Sequence, residues 1–354
     1  MKFAFLIILL AVADLSAQSG RVKPSEDPTP RPTPQRPGNY SPTNERSRVV
    51  VAGKRPTPTP TPTDNEEDVI KVDSTLVPIP VSVIDENGRA LRDLRLSDIE
   101  LFIDGKPVEI GEMTRSDSPV RLAMLFDNSG SVLVARNFEI EAAARFFQRV
   151  LRPDKDMAAL FSVSTVTRLE QPLTIDREQL IRAIRGFPPP EGATALMDGI
   201  QLAANYLKDV AGRRVIVIVS DGDDTKTDTT FERALRTAQL ANCQIFIVQT
   251  TGFENFIRTG SRSGNANIRS LAAERRMESF ANQTGGAVFM PIDQRELDLA
   301  FDQISADLSE QYVLSYYPDD DKGKTGEFRQ IEVRVKNRTG LTIRARKGYY
   351  VSMR

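Results

Sequence analysis

The sequence predicts an α/β protein in which a mostly parallel sheet is covered by helices on both faces. Between residues 120 and 310, continuous apolar segments alternate with amphipathic ones, as expected for buried parallel strands joined by crossover helices. Shorter stretches that alternate apolar and polar residues flank this region on both sides, a pattern typical of strands with one buried face. We therefore expect an α/β domain over residues 118–310 and a small accessory β module made from residues 67–117 and 311–354.

The composition excludes several classes of site. With 47 basic and 48 acidic residues the net charge is −1, which gives no electrostatic reason to expect nucleic acid as a partner. The chain contains no histidine, so Ser-His-Asp triads, Cys-His dyads and imidazole zinc sites are excluded. Cys243 is the single cysteine, which excludes an intrachain disulfide and a cysteine-based metal site. Any metal must therefore have oxygen ligands, which favours Mg²⁺, Ca²⁺ or Mn²⁺.

Residues 1–17 have the composition of a secretory signal peptide. Lys2 precedes an apolar run that extends to Val12, and small residues follow it, so we expect cleavage after Ala13 or Ala17. The run is too short to span a bilayer comfortably. We expect a secreted or periplasmic protein with no integral membrane segment after cleavage.

Residues 18–66 are rich in Pro, Thr and Ser and end in RPTPTPTPTDNEED. Alternating proline prevents helices and central strands and favours extended polyproline II. We interpret this region as a disordered, semi-stiff spacer. A proline-rich docking peptide is the alternative, but the alternating Pro-Thr pattern presents no distinctive side chains.

The two flanks of the α/β region are predicted to be strands. In residues 67–117, apolar residues at positions 77, 79, 81 and 83 alternate with others, and Asn-Gly at 87–88 and Asp-Gly at 104–105 indicate hairpin turns. Residues 311–354 contain the strand-like segments QYVLSYYP, EFRQIEVRVKN and LTIRARKGYYV. Neither flank is long enough to close a core alone, so we expect the two to pack together.

Six strands and six helices are predicted within the α/β region. The strands are VRLAMLF, MAALFSVS, VTRLEQPLT, RRVIVIVS, CQIFIVQT and GAVFM. The helices cover residues 139–150, 177–185 after an Asp176 cap, 195–207, 231–241, 269–284 and 293–309. The polar segment 252–268 has no period and is predicted to be an irregular insertion.

Polar side chains follow two of the buried strands. LAMLF leads into DNSGS, which contains Asp127, Ser129 and Ser131, and VIVIVS leads into DGDD, which begins with Asp221. Between them, GATALMDG carries Thr194 at the start of a helix. Because ligands bind outside the carboxyl ends of strands in open α/β sheets, we expect two carboxylates and three hydroxyls to converge there.

Hydroxyl ligands suit a site that recruits a further ligand. Residues two apart in a loop can face the same ion, and a neutral hydroxyl supplies an oxygen without cancelling charge. The ion then stays electron-poor and keeps a position open for water or an incoming carboxylate. Asp198, in the same GATALMDG segment, is a candidate partner for a ligand or its water, or a solvated helix residue.

These motifs resemble the complete metal-ion-dependent adhesion site of the von Willebrand factor type A family. The resemblance covers the α/β region, and the flanking strands resemble those of secreted bacterial, particularly acidobacterial, proteins with this domain. It implies a Rossmann-like fold whose six-stranded sheet has one antiparallel edge strand. It also implies that Ser129, Ser131 and Thr194 are hydroxyl ligands of a divalent cation, and that Asp127 and Asp221 act directly or through water.

We therefore predict a divalent-metal-dependent protein-binding module of the adhesion type rather than an enzyme. Its cation, Mg²⁺ or else Ca²⁺ or Mn²⁺, would recruit an Asp or Glu of a protein partner. One alternative is a Mg²⁺-dependent hydrolase or phosphoryl-transfer domain. The sequence argues against it because it has no Walker-type loop, no Asp-x-Asp-x-Thr motif and no histidine to act as a base. A structural envelope-assembly protein with a stabilising metal site is the other alternative.

Overall fold

The computed structural model describes the chain in five stretches, residues 76–115, 117–133, 135–261, 268–318 and 325–351. All of them belong to one unit, Ile70–Arg354. The predicted signal peptide (1–17) and Pro/Thr-rich spacer (18–66) lie outside the described residues. Within the described stretches, we find no helix whose length and apolar character would let it cross a bilayer.

The described residues contain fourteen strands and seven α-helices. The strands are β1 (Val77–Ile84), β2 (Ile99–Ile103), β3 (Lys106–Val108), β4 (Glu112–Arg115), β5 (Val120–Asp127), β6 (Met157–Val163), β7 (Arg168–Thr174), β8 (Arg213–Ser220), β9 (Cys243–Gln249), β10 (Val288–Phe289), β11 (Tyr312–Tyr316), β12 (Phe328–Val335), β13 (Thr342–Ala345) and β14 (Gly348–Tyr350). The helices are α1 (Arg136–Val150), α2 (Arg177–Arg185), α3 (Leu196–Leu207), α4 (Phe231–Leu240), α5 (Thr251–Thr259), α6 (Ile268–Thr284) and α7 (Gln294–Glu310).

The central sheet has six strands in the order β10-β9-β8-β5-β6-β7. All neighbours are parallel except β6 and β7, so the predicted fold class with one antiparallel edge strand is confirmed. Because helices cover both faces of the sheet, the middle parts of the central strands are apolar, as in LAMLF of β5 and VIVIV of β8. Phe146 of α1 and Phe301 of α7 pack on one face, and Ile200 of α3 and Phe280 of α6 pack on the other.

The two flanks form the accessory β module, as predicted. Strand β1 pairs with β11 and β13, and β12 pairs with β2 and β14, which gives two four-stranded sheets. Ile79, Leu101 and Leu314 are fully or almost fully buried in their shared core. The segment predicted as one strand, LTIRARKGYYV, is instead two strands in different sheets, because the chain passes from one sheet to the other between Ala345 and Gly348.

The structure corrects the prediction that residues 252–268 form an irregular insertion. Helix α5 covers its first part, and α6 begins at Ile268. The apolar residues at 253, 256 and 257 have the i, i+3, i+4 spacing of an amphipathic helix, so the prediction of a segment without a period was wrong. Gly260, at φ 69°, ends the helix in the left-handed conformation that glycine adopts readily.

Candidate cation-binding site

Asp127 lies at the carboxyl end of β5 and has no solvent exposure. Its Oδ1 accepts a hydrogen bond from the Ser129 N–H (2.9 Å), and its Oδ2 accepts one from the Ser220 hydroxyl (2.6 Å). Ser220 in turn accepts from the Gly222 N–H (3.0 Å). The neighbouring strand therefore fixes the orientation of this carboxylate. Sequence reasoning did not single out Ser220, although its position at the end of a buried strand is a usable signal.

The two predicted hydroxyls after β5 lie side by side. The Oγ atoms of Ser129 and Ser131 are 3.0 Å apart. Ser129 is buried, and Ser131 is exposed in the 3-10 turn Gly130–Leu133 that precedes α1. The turn thus presents an ordered hydroxyl and a solvent-facing hydroxyl on the same side of the loop.

The loop that carries Thr194 is hydrogen-bonded to the loop after β5. Gly130 N–H donates to the Gly192 carbonyl, and Glu191 N–H donates to the Asn128 carbonyl, each over 3.1 Å. Gly192 has φ +79°, and a Cβ there would overlap the hydroxyl of Thr165. Only glycine therefore fits this position without strain.

Thr194 itself is joined to the loop after β8. Its carbonyl accepts the N–H groups of Thr225 (2.9 Å) and Lys226 (3.0 Å), and its side chain is buried. Asp224 accepts the Leu196 N–H at the start of α3 (2.9 Å), so it caps this helix from a separate segment. The three loops that carry the predicted ligands are thus connected by hydrogen bonds.

Asp198 supports the loop after β8. Its carboxylate accepts the N–H groups of Asp228 (3.0 Å) and Thr229 (2.9 Å). Burial acts to raise the pKa of Asp198, but hydrogen bonds from these residues outweigh it and lower the pKa. Its observed contacts are with that loop, and the predicted role beside a cation ligand stays a prediction.

Asp127 and Asp221 repel one another electrostatically. Burial, and then the charge of Asp221, raise the pKa of Asp127 to about 7, although the hydrogen bonds from Ser220 and Ser129 act in the opposite direction. The Asp221 carboxylate accepts the Asp223 N–H (2.9 Å), and its carbonyl accepts the Thr251 hydroxyl (2.8 Å). A positive charge placed between the loops would relieve this repulsion.

The donor set fits a hard divalent cation. It consists of carboxylate and hydroxyl oxygens, which Mg²⁺ and Ca²⁺ prefer. Among the described residues, no group of three or more His, Cys, Asp or Glu side chains has a metal-binding arrangement. Ser129, Ser131 and Thr194 are therefore the residues that distinguish this site from a purely acidic one.

Comparisons with known proteins find one family model and several solved structures that are similar to part of this chain. Residues 122–224 match the family model described as von Willebrand factor type A domain. No curated protein matches the chain. Among solved structures, BatB from Bacteroides thetaiotaomicron is 14% identical, with a TM-score of 0.42 over 53% of this chain and 98% of that chain. The vWF domain of the type V pili tip protein Mfa5 from Porphyromonas gingivalis is 14% identical, with a TM-score of 0.42 over 53% of this chain and 94% of that chain.

Proposed function

We propose, from the match of residues 122–224 to the von Willebrand factor type A domain model, that this chain is a divalent-cation-dependent protein-binding module. In this proposal the partner contributes an Asp or Glu side chain to the cation. The proposal also places the protein outside the cytoplasm, secreted or in the periplasm, because the N-terminal sequence is typical of a secretory signal.

The observation that carries the proposal is the proximity of two carboxylates, Asp127 and Asp221, at the ends of β5 and β8. Asp127 is fully buried, and the nearby charge of Asp221 helps to raise its pKa to about 7. Buried carboxylates are ordinarily paired with a cation or neutralised. The adjoining hydroxyls of Ser129 and Ser131 supply further hard oxygen donors.

Each residue has a distinct proposed role. Ser129, Ser131 and Thr194 hold the cation through neutral oxygens, while Asp127 and Asp221 balance its charge directly or through water. A bound Mg²⁺, Ca²⁺ or Mn²⁺ would supply a Lewis-acidic centre for a carboxylate oxygen. Ser220 keeps Asp127 oriented through its 2.6 Å hydrogen bond. Because the hydroxyls add no negative charge, a carboxylate of the partner is still attracted.

The test is metal-dependent capture of a partner. Immobilised full-length protein is incubated with envelope extract in Mg²⁺ or in EDTA, and retained proteins are identified by mass spectrometry. We expect a specific partner to be retained only in Mg²⁺, and its binding to be lost in Ser129→Ala and Thr194→Ala. Ser309→Ala is a matched control, because that hydroxyl donates only to carbonyls of its own helix.

Binding of the purified partner then gives a quantitative readout. Replacing each exposed Asp and Glu of the partner in turn should identify one carboxylate whose loss reduces affinity as strongly as Thr194→Ala does. Capture that is indifferent to EDTA and to both hydroxyl variants contradicts the proposed function. Circular dichroism of each variant establishes that it is folded.

A further inference from the structure

Two buried carboxylates lie close enough to Asp127 and Asp221 to interact electrostatically with them, on helices joined by an aromatic stack. The rings of Phe138 on α1 and Phe253 on α5 are parallel within 5°, with centroids 3.7 Å apart. The next residue of each helix is a glutamate, Glu139 and Glu254 respectively, and both are buried. The stacked pair therefore fixes the two glutamates on adjoining helices.

Buried oxygens without hydrogen-bond partners concentrate at this place. Both carboxylate oxygens of Glu139, the Oε1 of Glu254 and the hydroxyl of Thr250 lack a partner of normal geometry among the described residues. Thr250 is fully buried and lies one helical turn before Glu254, whose N–H donates to the Thr250 carbonyl (3.1 Å). Its hydroxyl is also close enough to Glu139 to lower the pKa of that carboxyl. Buried polar atoms in folded proteins ordinarily have partners.

The neighbouring arginines do not neutralise the two glutamates. Arg136 is attracted to Glu139, but its guanidinium lies over the rings of Phe126 and Phe187 and donates to the Pro188 carbonyl. Arg258 approaches Glu254 only to 4.0 Å, and it is mostly exposed. Burial raises the pKa of Glu139, and the charges of Asp127 and Glu254 add to this effect. Burial and the charge of Asp221 raise the pKa of Glu254 to about 7.

We propose that Glu139, Glu254 and the Thr250 hydroxyl form a second divalent-cation site, close to the site formed by the loops after β5 and β8. The donor set is two carboxylates and one hydroxyl, so the ligand is a hard cation of the same class, with water completing its coordination. The first site has an exposed hydroxyl, whereas the three donors of the second are buried. The second cation therefore joins α1 to α5 and does not contact a partner.

The test counts Mn²⁺ ions bound to the full chain, using the electron paramagnetic resonance signal of free Mn²⁺. Wild-type protein should bind two ions. Glu139→Gln and Glu254→Gln should each bind one, and Ser129→Ala should also bind one. The double variant Ser129→Ala/Glu139→Gln should bind none. Glu141→Gln is the matched control, because this exposed residue of α1 pairs only with Arg185; it should bind two.

Other ion counts refute either the first cation site or the second. One wild-type ion that is lost in Ser129→Ala and retained in both glutamine variants refutes the second site and leaves the proposed function standing. One ion that is lost in the glutamine variants and retained in Ser129→Ala refutes the first site and supports the second. Glutamine preserves the shape of the side chain, and thermal melts in EDTA should show Glu139→Gln to be at least as stable as wild type. If folded Glu139→Gln still binds two Mn²⁺ ions, the second site is refuted.

Discussion

Replacing Asp127 by asparagine should stabilise the metal-free protein near neutral pH and abolish its stabilisation by Mg²⁺. Burial and the charge of Asp221 raise the pKa of Asp127 from 3.8 to about 7. A shift of roughly 3 units corresponds to about 4 kcal/mol of unfavourable free energy once the carboxylate is ionised in the folded state. Asparagine removes this charge and still accepts the Ser129 N–H, so we expect a net gain of about 1–3 kcal/mol after rearrangement at Ser220.

The sign of the pH dependence follows from the raised pKa. Below the pKa of the unfolded state, Asp127 is protonated in both states and carries no penalty. As the pH rises from about 4 to about 7, the folded state retains a proton that the unfolded state has lost, and stability declines through this window. Metal-free wild-type protein should show this decline, and Asp127→Asn should lack that part of it.

Urea unfolding in EDTA and in excess Mg²⁺, at about pH 5 and about pH 8, measures both effects. Asp209→Asn is the control, since Asp209 is exposed on the surface. The reasoning is refuted if Asp127→Asn is less stable than wild type in EDTA at the higher pH. It is also refuted if Mg²⁺ stabilises Asp127→Asn as much as it stabilises wild type.

Three further predictions concern residues around the sheet and its loops. Asp156→Asn should lower the free energy of unfolding by about 2–4 kcal/mol, because the buried carboxylate accepts hydrogen bonds from Arg152 and a strand N–H. Burial acts to raise the pKa of Asp156, but these hydrogen bonds lower it overall. The stabilisation is therefore present at neutral pH and is lost as the pH falls through the pKa of the folded state. An acid titration in which wild type shows no such loss relative to Asp156→Asn would contradict this prediction. Gly192→Ala should lower stability in urea by about 1–3 kcal/mol because of its positive φ and the lack of space for a Cβ; unchanged stability would be the contrary result. Ser220→Ala should weaken Mg²⁺ binding about 10- to 100-fold by calorimetry, since it removes the donor that orients Asp127, and unaltered affinity would show that this hydrogen bond is dispensable.

The sequence predicted the fold best where a long segment has a single clear pattern of apolar residues. Strands such as β8, which is apolar almost throughout, could be recognised because helices cover both faces of the central sheet. The pairing of the two flanks was also predictable, because neither could bury its apolar face alone. The hydroxyl and carboxylate loops followed from the rule that polar residues after parallel strands share one edge of the sheet.

The remainder depends on contacts between distant segments, which a linear pattern does not encode. Charged residues on helices are usually solvated, but Glu139 is buried beside the stack of Phe138 on Phe253, which joins α1 to the distant α5. Helix α5 was missed because its helical spacing extends over only nine residues. Asp224 caps α3 from across the site, a contact with Leu196 that joins segments 28 residues apart in the sequence.

The central claim is that the loops after β5 and β8 hold a divalent cation with a coordination position open to a partner. An anomalous difference map from crystals of the protein grown with Mn²⁺ tests it most directly. We predict a peak within coordination distance of the hydroxyls of Ser129, Ser131 and Thr194, with at least one ligand supplied by water or another carboxylate. A well-ordered site with no anomalous peak there, or a peak enclosed entirely by protein ligands, would contradict the account.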